Sequence, residues 1–200
     1  MNLRQVREVL RWAKTTLLMP LHLPHFVIYA ARGGVRNRVN LDIKRYQKHF
    51  GHNCVNWLYF CYLLSVDKYY RQVFYTRIGP VASTFISWMH PGDKYFTLPR
   101  QLKIGSGCIF FHPYATNLNA NSIGENFSCA HCTTLGWGKG GRPTIGDNVT
   151  LGCTVTIIGN VHIGNNVTIG AGSVVVKDVP DNCVVAGNPA KVIRYLDKQN

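Results

Sequence analysis

The side chains best suited to chemistry in this sequence lie between residues 103 and 142. Two histidines, His112 and His131, stand in the segments CIFFH and SCAHC, and a glycine-rich stretch, GWGKGG, follows at 136–141. An imidazole titrates near neutral pH and can therefore act as a general base. Glycines let the backbone approach a ligand closely. These residues are the candidates for proton transfer and for ligand binding.

Two motifs in the same region do not support the chemistry that their letters suggest. Cys129 and Cys132 form a CxxC pair, but residues i and i+3 of a strand face opposite sides, so we expect neither a redox pair nor a zinc site. The glycines at 136–141 follow neither the Rossmann nor the P-loop pattern and do not precede a helix. We expect no metal site.

The segment that must position these residues is built on a six-residue repeat. Aliphatic residues recur at every sixth position and glycine follows four of them: Ile145-Gly146, Leu151-Gly152, Ile157, Ile163-Gly164, Ile169-Gly170 and Val175. An upstream block keeps this phase with one extra residue between Phe110 and Ile123 and four extra residues in the 136–144 loop. A helix would drift by about 120° per hexad, whereas a short strand and a turn keep one residue inward. The repeat predicts a parallel β-helix in which glycine relieves the corners.

The hexads end in IGAGSVVVKDVPDNCVVAGNPAKVI at 169–193, and KIGSGCIFFH and IGENFSCAHCTTLG stand at 103–112 and 123–136. Over roughly residues 97–194 the chain resembles the left-handed β-helix acyltransferases. It is most similar to the serine acetyltransferases and to related O-acetyltransferases of surface-polysaccharide biosynthesis. The resemblance implies a mainly β fold, a left-handed parallel β-helix of hexapeptide repeats with an N-terminal α-helical region. It also implies an acetyl-CoA-dependent O-acetyltransferase that forms a homotrimer with active sites between subunits.

The prism implied by this resemblance, with three hexads per coil, fixes which residues are neighbours. Equivalent positions of successive coils are Phe110, Cys129, Leu151 and Ile169, and the outward residues two positions later are His112, His131, Cys153 and Ala171. Adjacent coils lie about 4.8 Å apart. We therefore expect His112 and His131 to stack on one outer face, with Cys153 and Ala171 continuing the column.

The resemblance assigns roles to His112, Cys153 and Ala171, whereas His131 has no counterpart in the serine enzymes. His112 matches the catalytic histidine, which would take the proton of the attacking hydroxyl. His131 binds the acceptor, acts on His112 electrostatically, or is a bystander. Phe111 and Arg142 complete the expected acceptor-binding set. The expected acetyl-CoA-binding residues are Trp137, Gly138, Cys153, Ala171, Lys177 and Lys191.

The sequence departs from the serine enzymes at the acceptor. The aspartate that precedes the catalytic histidine is replaced by Phe111, the aspartate fifteen residues upstream by Thr97, and the histidine after Arg142 by Pro143. A free amino acid needs charged partners for its ammonium and carboxylate, so we expect a saccharide hydroxyl as the acceptor. L-Serine is the alternative. More distant alternatives are a non-catalytic repeat scaffold and a metal-dependent hydratase resembling the γ-class carbonic anhydrases, whose pair of closely spaced histidines is missing here.

Charge separates the two halves of the chain. Residues 1–90 hold 13 Lys and Arg against three acidic residues, whereas residues 91–200 hold nine against six. Helix-like segments at 3–18, 41–50 and 54–77 indicate a basic, mainly helical region at 1–96, followed by the β-helix domain with a C-terminal extension at 97–200. The segment 3–18 reads as a basic amphipathic helix, which either lies on a membrane or packs on its own protein.

The N-terminal segment and the number of cysteines indicate where in the cell the protein is located. The first residues, MNLRQVREVLRWAK, carry charges where a signal peptide has its apolar core, and seven cysteines, an odd number, do not form a complete disulfide framework. We therefore expect a cytoplasmic protein, with peripheral contact to the inner face of the membrane as an extension. No nucleic-acid-binding motif accompanies the positive charge, and we expect no nucleic-acid partner.

Overall fold

The computed structural model describes residues 2–196 of the chain. The chain divides into two compact units, Met1–Asp93 and Lys94–Asn200. This division falls a few residues before the boundary expected at 96/97. The first unit is helical and the second is a β-helix, and each is described separately.

The helical unit contains six α-helices and one short 3-10 helix. They are α1 (Leu3–Leu18), the 3-10 turn Met19–His22, α2 (Leu23–Ala31), α3 (Gly33–Phe50), α4 (Asn56–Val66), α5 (Lys68–Ile78) and α6 (Pro80–Ile86). The helix expected at 41–50 begins earlier, because Gly33 and Gly34 lie in its first turn, where glycine is tolerated better than in a helix interior. The segment expected at 54–77 is two helices. Asp67 separates them, and its Oδ1 atom accepts hydrogen bonds from the backbone N–H groups of Tyr69 and Tyr70 at the start of α5.

A buried ion pair ties α3 to α5. The Nε and Nη2 atoms of Arg77 donate to the two carboxylate oxygens of Asp42 at 2.6 and 2.8 Å, and each side chain is 1% exposed. Loss of either partner would leave an uncompensated buried charge, which is strongly destabilising. Two residues that look like solvated charges in the sequence are therefore core residues.

Three histidines form a second polar cluster in this unit. The Nε2 atom of His25 lies 3.0 Å from the hydroxyl of Tyr75, and that of His22 lies 3.0 Å from a serine hydroxyl on α4. The rings of His22 and His90 stack at 4.9 Å. Burial, with a smaller contribution from neighbouring positive groups, lowers the pKa of His22 to about 3 and the pKa values of His25 and His90 to about 4. All three imidazoles are therefore neutral in the folded protein near neutral pH.

The second unit is a left-handed parallel β-helix with three sheets as its faces. The first sheet contains β1 (Phe96–Thr97), β4 (Thr116–Leu118), β7 (Thr134–Gly136), β10 (Thr156–Ile158) and β13 (Val174–Val175). The second contains β2 (Lys103–Ile104), β5 (Ser122–Ile123), β8 (Thr144–Ile145) and β11 (His162–Ile163). The third contains β3 (Ile109–Phe111), β6 (Ser128–Ala130), β9 (Thr150–Leu151), β12 (Thr168–Ile169), β14 (Cys183–Gly187) and the antiparallel β15 (Ala190–Tyr195). The expected fold class is confirmed.

The register of the strands shows the expected coil of 18 residues. Thr150 pairs with Thr168, and Thr156 pairs with Val174. The aliphatic hexad positions form the core; Val149, Leu151, Val155, Ile157, Ile163, Val167 and Ile169 are each at most 2% exposed. The irregularity after Phe110 has two parts. The turn that contains His112 is two residues longer than its counterpart in the next coil. The inward positions on either side of the following turn, Leu118 and Ile123, are five residues apart instead of the six of a regular hexad.

The corner glycines serve close approach rather than backbone freedom. A Cβ atom on Gly146 would lie 2.7 Å from the carbonyl oxygen of Gly164 in the next coil, and one on Gly124 would lie 2.5 Å from that of Gly146. None of these three glycines has a positive φ. The left-handed conformation belongs instead to asparagines two residues later, such as Asn148 with φ +56°, so the expectation that glycine relieves the corner was wrong in its mechanism.

The described helices include none that is both long and apolar enough to cross a bilayer.

The buried histidines predict that the helical unit loses stability as the pH falls. Their folded pKa values lie below the unfolded value of about 6.5, so the unfolded chain binds more protons than the folded one below that pH. We expect His22 and His25 to lower the free energy of unfolding by roughly 2–3 kcal/mol between about pH 7.5 and about pH 5.5, and the half-buried His90 to add to this fall. Urea titrations followed by helical circular dichroism measure this change. A free energy of unfolding that does not change between these pH values would contradict the prediction.

Candidate active site

One corner of the prism gathers the four residues that the coil arithmetic aligns. Phe111 pairs with Ala130 across β3 and β6, so His112 and His131 follow at the same corner, between the third and first sheets. The register continues through β9 and β12 and brings Cys153 and then Ala171 to the same position. Backbone hydrogen bonds connect these levels: Thr154 N–H donates to the carbonyl of His131 at 3.0 Å, and Gly172 N–H to that of Cys153 at 2.9 Å. We call the set His112, His131, Cys153 and Ala171 the histidine corner.

The two imidazoles are open to solvent and the residues beyond them are small. His112, His131 and Ala171 are exposed, and Cys153 is half-buried. One strand spacing of about 4.8 Å separates the levels of His131, Cys153 and Ala171. The level before His131 is held by Tyr114, whose carbonyl accepts a hydrogen bond from Cys132 N–H at 2.9 Å, and His112 lies in the two-residue insertion at the same corner. The corner therefore offers a pair of imidazoles at one end and a shallow track, lined by small side chains, along the rest.

The turn at His112 is unusual in its backbone and its neighbours. His112 has φ +49°, in the left-handed region that few residues other than glycine adopt, and its carbonyl accepts a hydrogen bond from Tyr114 N–H at 2.6 Å. The two extra residues of this turn present the ring of Tyr114, which lies 5.2 Å from that of Tyr95. These rings are 53% and 49% exposed. Sequence reasoning missed this tyrosine pair, for which the extra residue between Phe110 and Ile123 was the only signal.

The histidine corner carries no acidic side chain of its own unit. Within residues 94–196 the acidic residues are Glu125, Asp147, Asp178 and Asp181. Glu125, Asp147 and Asp181 lie at the corner between the second and third sheets, and Asp178 follows β13 at the corner between the first and second sheets. Near His112, the positions that carry aspartate in the serine enzymes hold Phe111, which is half-buried, and Thr97, which pairs with Asn117 in the first sheet.

The glycine-rich loop is a short hairpin that rests on the next coil. Gly138 and Gly141 exchange backbone hydrogen bonds at 2.9 and 3.1 Å. Asn160 N–H donates to the carbonyl of Lys139 at 3.2 Å. A Cβ atom on Gly138 would lie 2.6 Å from Cγ2 of Ile158. Glycine is needed at this position because the backbone lies directly on the coil beneath it.

The hairpin also orients two of the predicted ligand-binding residues. Trp137 is 69% exposed, and the guanidinium carbon of Arg142 lies 5.9 Å from the centre of its ring. Arg142 donates to the side-chain oxygen of Asn119 at 3.2 Å, and its buried Nε has no hydrogen-bond partner among the described residues. The guanidinium is therefore fixed by Asn119 and Trp137, and its Nε–H is left as a hydrogen-bond donor without an acceptor among the described residues.

The predicted site residues divide between two corners. The hairpin follows β7 and Lys177 follows β13, so Trp137, Gly138, Arg142 and Lys177 lie at the corner between the first and second sheets. Lys191 pairs with Ala186 at the end of the third sheet, close to Ala171. The expectation that the glycine-rich loop lies beside the histidine column is wrong within one chain, because β7 ends at the next corner and the whole first sheet separates the two sets. We call the set Trp137, Gly138, Arg142, Lys177 and Asp178 the loop corner.

The CxxC cysteines and the possible metal ligands form no second site within the described part of the chain. Cys129 is fully buried, and burial raises the pKa of its thiol, whereas Cys132 lies half-buried in the turn. Among residues 2–196, no three His, Cys, Asp or Glu side chains converge in a way that would hold a metal ion.

Comparison with known proteins also identifies the six-residue repeat. The family "Bacterial transferase hexapeptide (six repeats)" matches residues 142–177. Serine acetyltransferase 4 of Arabidopsis thaliana is 45% identical over 103 residues, which cover 49% of this chain and 29% of that protein. The putative colanic acid biosynthesis acetyltransferase WcaB of Escherichia coli K12 is 45% identical over 94 residues, which cover 44% of this chain and 57% of that protein. The likeness to hexapeptide-repeat acyltransferases is confirmed, although the matched segment spans well under two thirds of either relative.

Solved structures share the fold over more of the chain. Serine acetyltransferase (CysE) of Neisseria gonorrhoeae is similar with a TM-score of 0.69 and 28% identity, over 86% of this chain and 70% of that one. A serine acetyltransferase in complex with CoA is similar with a TM-score of 0.66 and 21% identity, over 82% and 72% of the two chains.

Proposed function

We propose that this chain, which is similar to the hexapeptide-repeat acyltransferases, is an acetyl-CoA-dependent O-acetyltransferase with His112 as its general base. The observation that carries the proposal is the histidine corner: an exposed imidazole pair at one end of a track of small residues. The likeness to named acetyltransferases over about half of the chain supports it.

The reaction requires a general base and a surface groove that holds the acyl donor. His112 takes the proton of the acceptor hydroxyl while the hydroxyl oxygen attacks the acetyl carbonyl of the thioester. The tetrahedral intermediate collapses, the carbon–sulfur bond breaks, and the imidazolium returns the proton to the CoA thiolate. His131, at the same corner, positions the acceptor hydroxyl.

The small residues of the corner suit the acyl donor. The extended pantetheine arm would lie along Cys153 and Ala171, whose side chains leave room for it. Lys191, at the same end of the third sheet, suits the anionic nucleotide portion of CoA. A serine acetyltransferase of similar fold is known in complex with CoA, which supports CoA as the carrier of the donor acetyl group.

The two corners become one site if neighbouring copies associate. In a homotrimer of prisms, the histidine corner of one copy faces the loop corner of the next. Trp137, Gly138 and Lys177 of the neighbour would then meet the CoA that lies along Cys153. This arrangement accounts for predicted ligand-binding residues that one chain holds on different corners.

L-Serine is the acceptor that the comparisons favour, because serine acetyltransferases dominate both the relatives and the similar folds. This reverses the preference for a saccharide drawn from the sequence. Since the histidine corner has no acidic residue of its own unit, the partners of the amino acid would come from the neighbouring copy's loop corner. There Asp178 suits the ammonium and Arg142 the carboxylate.

Three observations support a saccharide hydroxyl as a second candidate acceptor. Tyr95 and Tyr114 form an exposed aromatic surface beside His112, and such surfaces suit the face of a sugar ring. Phe111 and Thr97 leave the near side of the site uncharged. The likeness to the putative colanic acid biosynthesis acetyltransferase points in the same direction.

Replacement of the base tests the mechanism. Because asparagine tolerates the left-handed conformation of residue 112, His112→Asn should keep the fold while lowering kcat by about 10²–10⁴-fold. The dissociation constant for CoA should stay within a factor of two of the wild-type value. The matched variant His131→Asn should lose less activity; near-wild-type turnover by His112→Asn would overturn the assignment.

Acceptor kinetics test the two candidate substrates. We expect L-serine to be acetylated with a kcat/KM of at least about 10⁴ M⁻¹s⁻¹, with CoA thiol release as the assay. The variant Tyr114→Leu should leave this value unchanged. If L-serine is inert and a glycan is acetylated with a KM that rises in Tyr114→Leu, the acceptor is a saccharide; release of CoA with neither class contradicts the proposed function.

Mixed assembly tests the shared site. We expect light scattering to show a trimer, and the single variants His112→Asn and Arg142→Gln to be impaired. After the two variants are unfolded and refolded together in equal amounts, about a quarter of the sites would combine an intact histidine corner with an intact loop corner. Activity should recover to about that fraction. No recovery in verified mixed trimers, or a fully active monomer, would show that one chain forms the whole site.

A further inference from the structure

Helix α1 packs on the helical unit through only one of its faces. The ring of Trp12 lies 4.6 Å from that of Tyr62 on α4, and the hydroxyl of Tyr62 donates to Glu8 at 3.0 Å. Thr15, on the same face, is 1% exposed. These contacts use the spacing of three and four residues that defines one side of a helix, and they leave the rest of α1 at the surface.

A second face of α1 carries leucines that point into solvent. Leu3, Leu10 and Leu17 stand seven residues apart and therefore share one side. They are 79%, 62% and 80% exposed. Packing on the protein thus leaves uncovered the apolar face that amphipathic helices usually bury, so these leucines are available to another apolar partner.

The third face is basic and borders a pocket. Arg4, Arg7, Arg11 and Lys14 repeat at three or four residues along α1. At the start of the helix lies a pocket of about 430 Å³, lined by Leu3, Arg4, Arg7, Glu8, Arg11, Phe50 and His52. Arg11 pairs with Glu8, whereas within residues 2–196 Arg4 and Arg7 take part in no ion pair. The pocket therefore has uncompensated positive charge, and Leu3 belongs both to it and to the leucine face.

We propose that α1 docks on an anionic phospholipid bilayer. The leucine face enters the boundary between headgroups and acyl chains, and Arg4 and Arg7 hold a lipid phosphate in the pocket. A basic row beside an exposed apolar row is the pattern of helices that lie in a membrane interface, and the excess of Lys and Arg in residues 1–90 adds attraction to the same surface. An acidic protein would satisfy the arginines but would not explain three exposed leucines in a line. The proposal is independent of acetyl transfer.

Vesicle binding tests the proposal with the full chain. The probes are vesicles of pure phosphatidylcholine and vesicles of equal parts phosphatidylcholine and phosphatidylglycerol, with bound protein measured by flotation. We expect binding to the anionic vesicles only, weakening as salt is raised.

Charge and apolar variants separate the two parts of the contact. Arg4→Gln combined with Arg7→Gln should weaken binding about 30-fold, at roughly fivefold per charge near an anionic surface. Leu10→Ser combined with Leu17→Ser should weaken it by about tenfold or more. The controls are Lys44→Gln with Lys48→Gln, which removes two exposed charges of α3, and Leu41→Ser, which removes an exposed leucine of α3. All four proteins should keep wild-type helical circular dichroism and wild-type CoA release with a water-soluble acceptor.

Three results would overturn the proposal. One is equal binding to both kinds of vesicle, and another is equal weakening by the α3 controls and the α1 variants. The third is self-association: if light scattering shows a larger assembly that the leucine variants reduce in size, while the wild type does not bind vesicles, the leucine face contacts a second copy instead.

Discussion

Every coil of the β-helix must lie one strand spacing from the next, and this constraint governs the rest of the second unit. At the corner between the second and third sheets, the side chain of Asn126 donates to that of Asn148, Asn148 to Asn166, and Asn166 to Asn182, at 3.0, 2.9 and 2.8 Å. Corner glycines admit the backbone of the neighbouring coil at distances that a Cβ atom would prevent. Asparagine in the left-handed conformation and glycine at the close contact thus serve the same purpose, which is an unbroken stack.

The candidate site is built on two insertions in this stack of coils. The longer turn after Phe111 presents His112 and Tyr114 outside the prism, and the hairpin at 137–142 extends from another corner. Neither insertion disturbs the core, because the inward hexad positions on both sides keep their register. A rigid stack with additions at its corners can therefore hold a base and a ligand-binding loop in fixed positions, which catalysis requires.

Much of this arrangement could be predicted from the sequence. The six-residue phase, together with the three hexads per coil that the resemblance implies and an allowance for two insertions, predicted one corner for His112, His131, Cys153 and Ala171, and the strand register places all four there. The same arithmetic also gives the corner of the 137–142 hairpin, because Leu135 lies one hexad after Cys129 and therefore on the next side of the coil; the expectation that the loop lies beside the histidine column overlooked this step. The Tyr95–Tyr114 pair was missed because Tyr95 precedes the repeat.

The helical unit was harder to predict because it has no period to count. Nothing in the excess of Lys and Arg in residues 1–90 indicates that Arg77 is buried against Asp42. Polarity of a residue type does not reveal its burial when a partner far along the chain satisfies it. In α1 the reverse holds: leucines that would ordinarily be assigned to a core are exposed.

A crystal structure of the protein with CoA bound would show directly whether His112 can act as the base. We predict the pantetheine arm along Cys153 and Ala171, with the thiol sulfur at the His112 end of the histidine corner, about 3–4 Å from the space where the attacking hydroxyl must sit. CoA bound away from this corner, or with its thiol directed toward the Ala171 end, would contradict the assignment of His112 as the base.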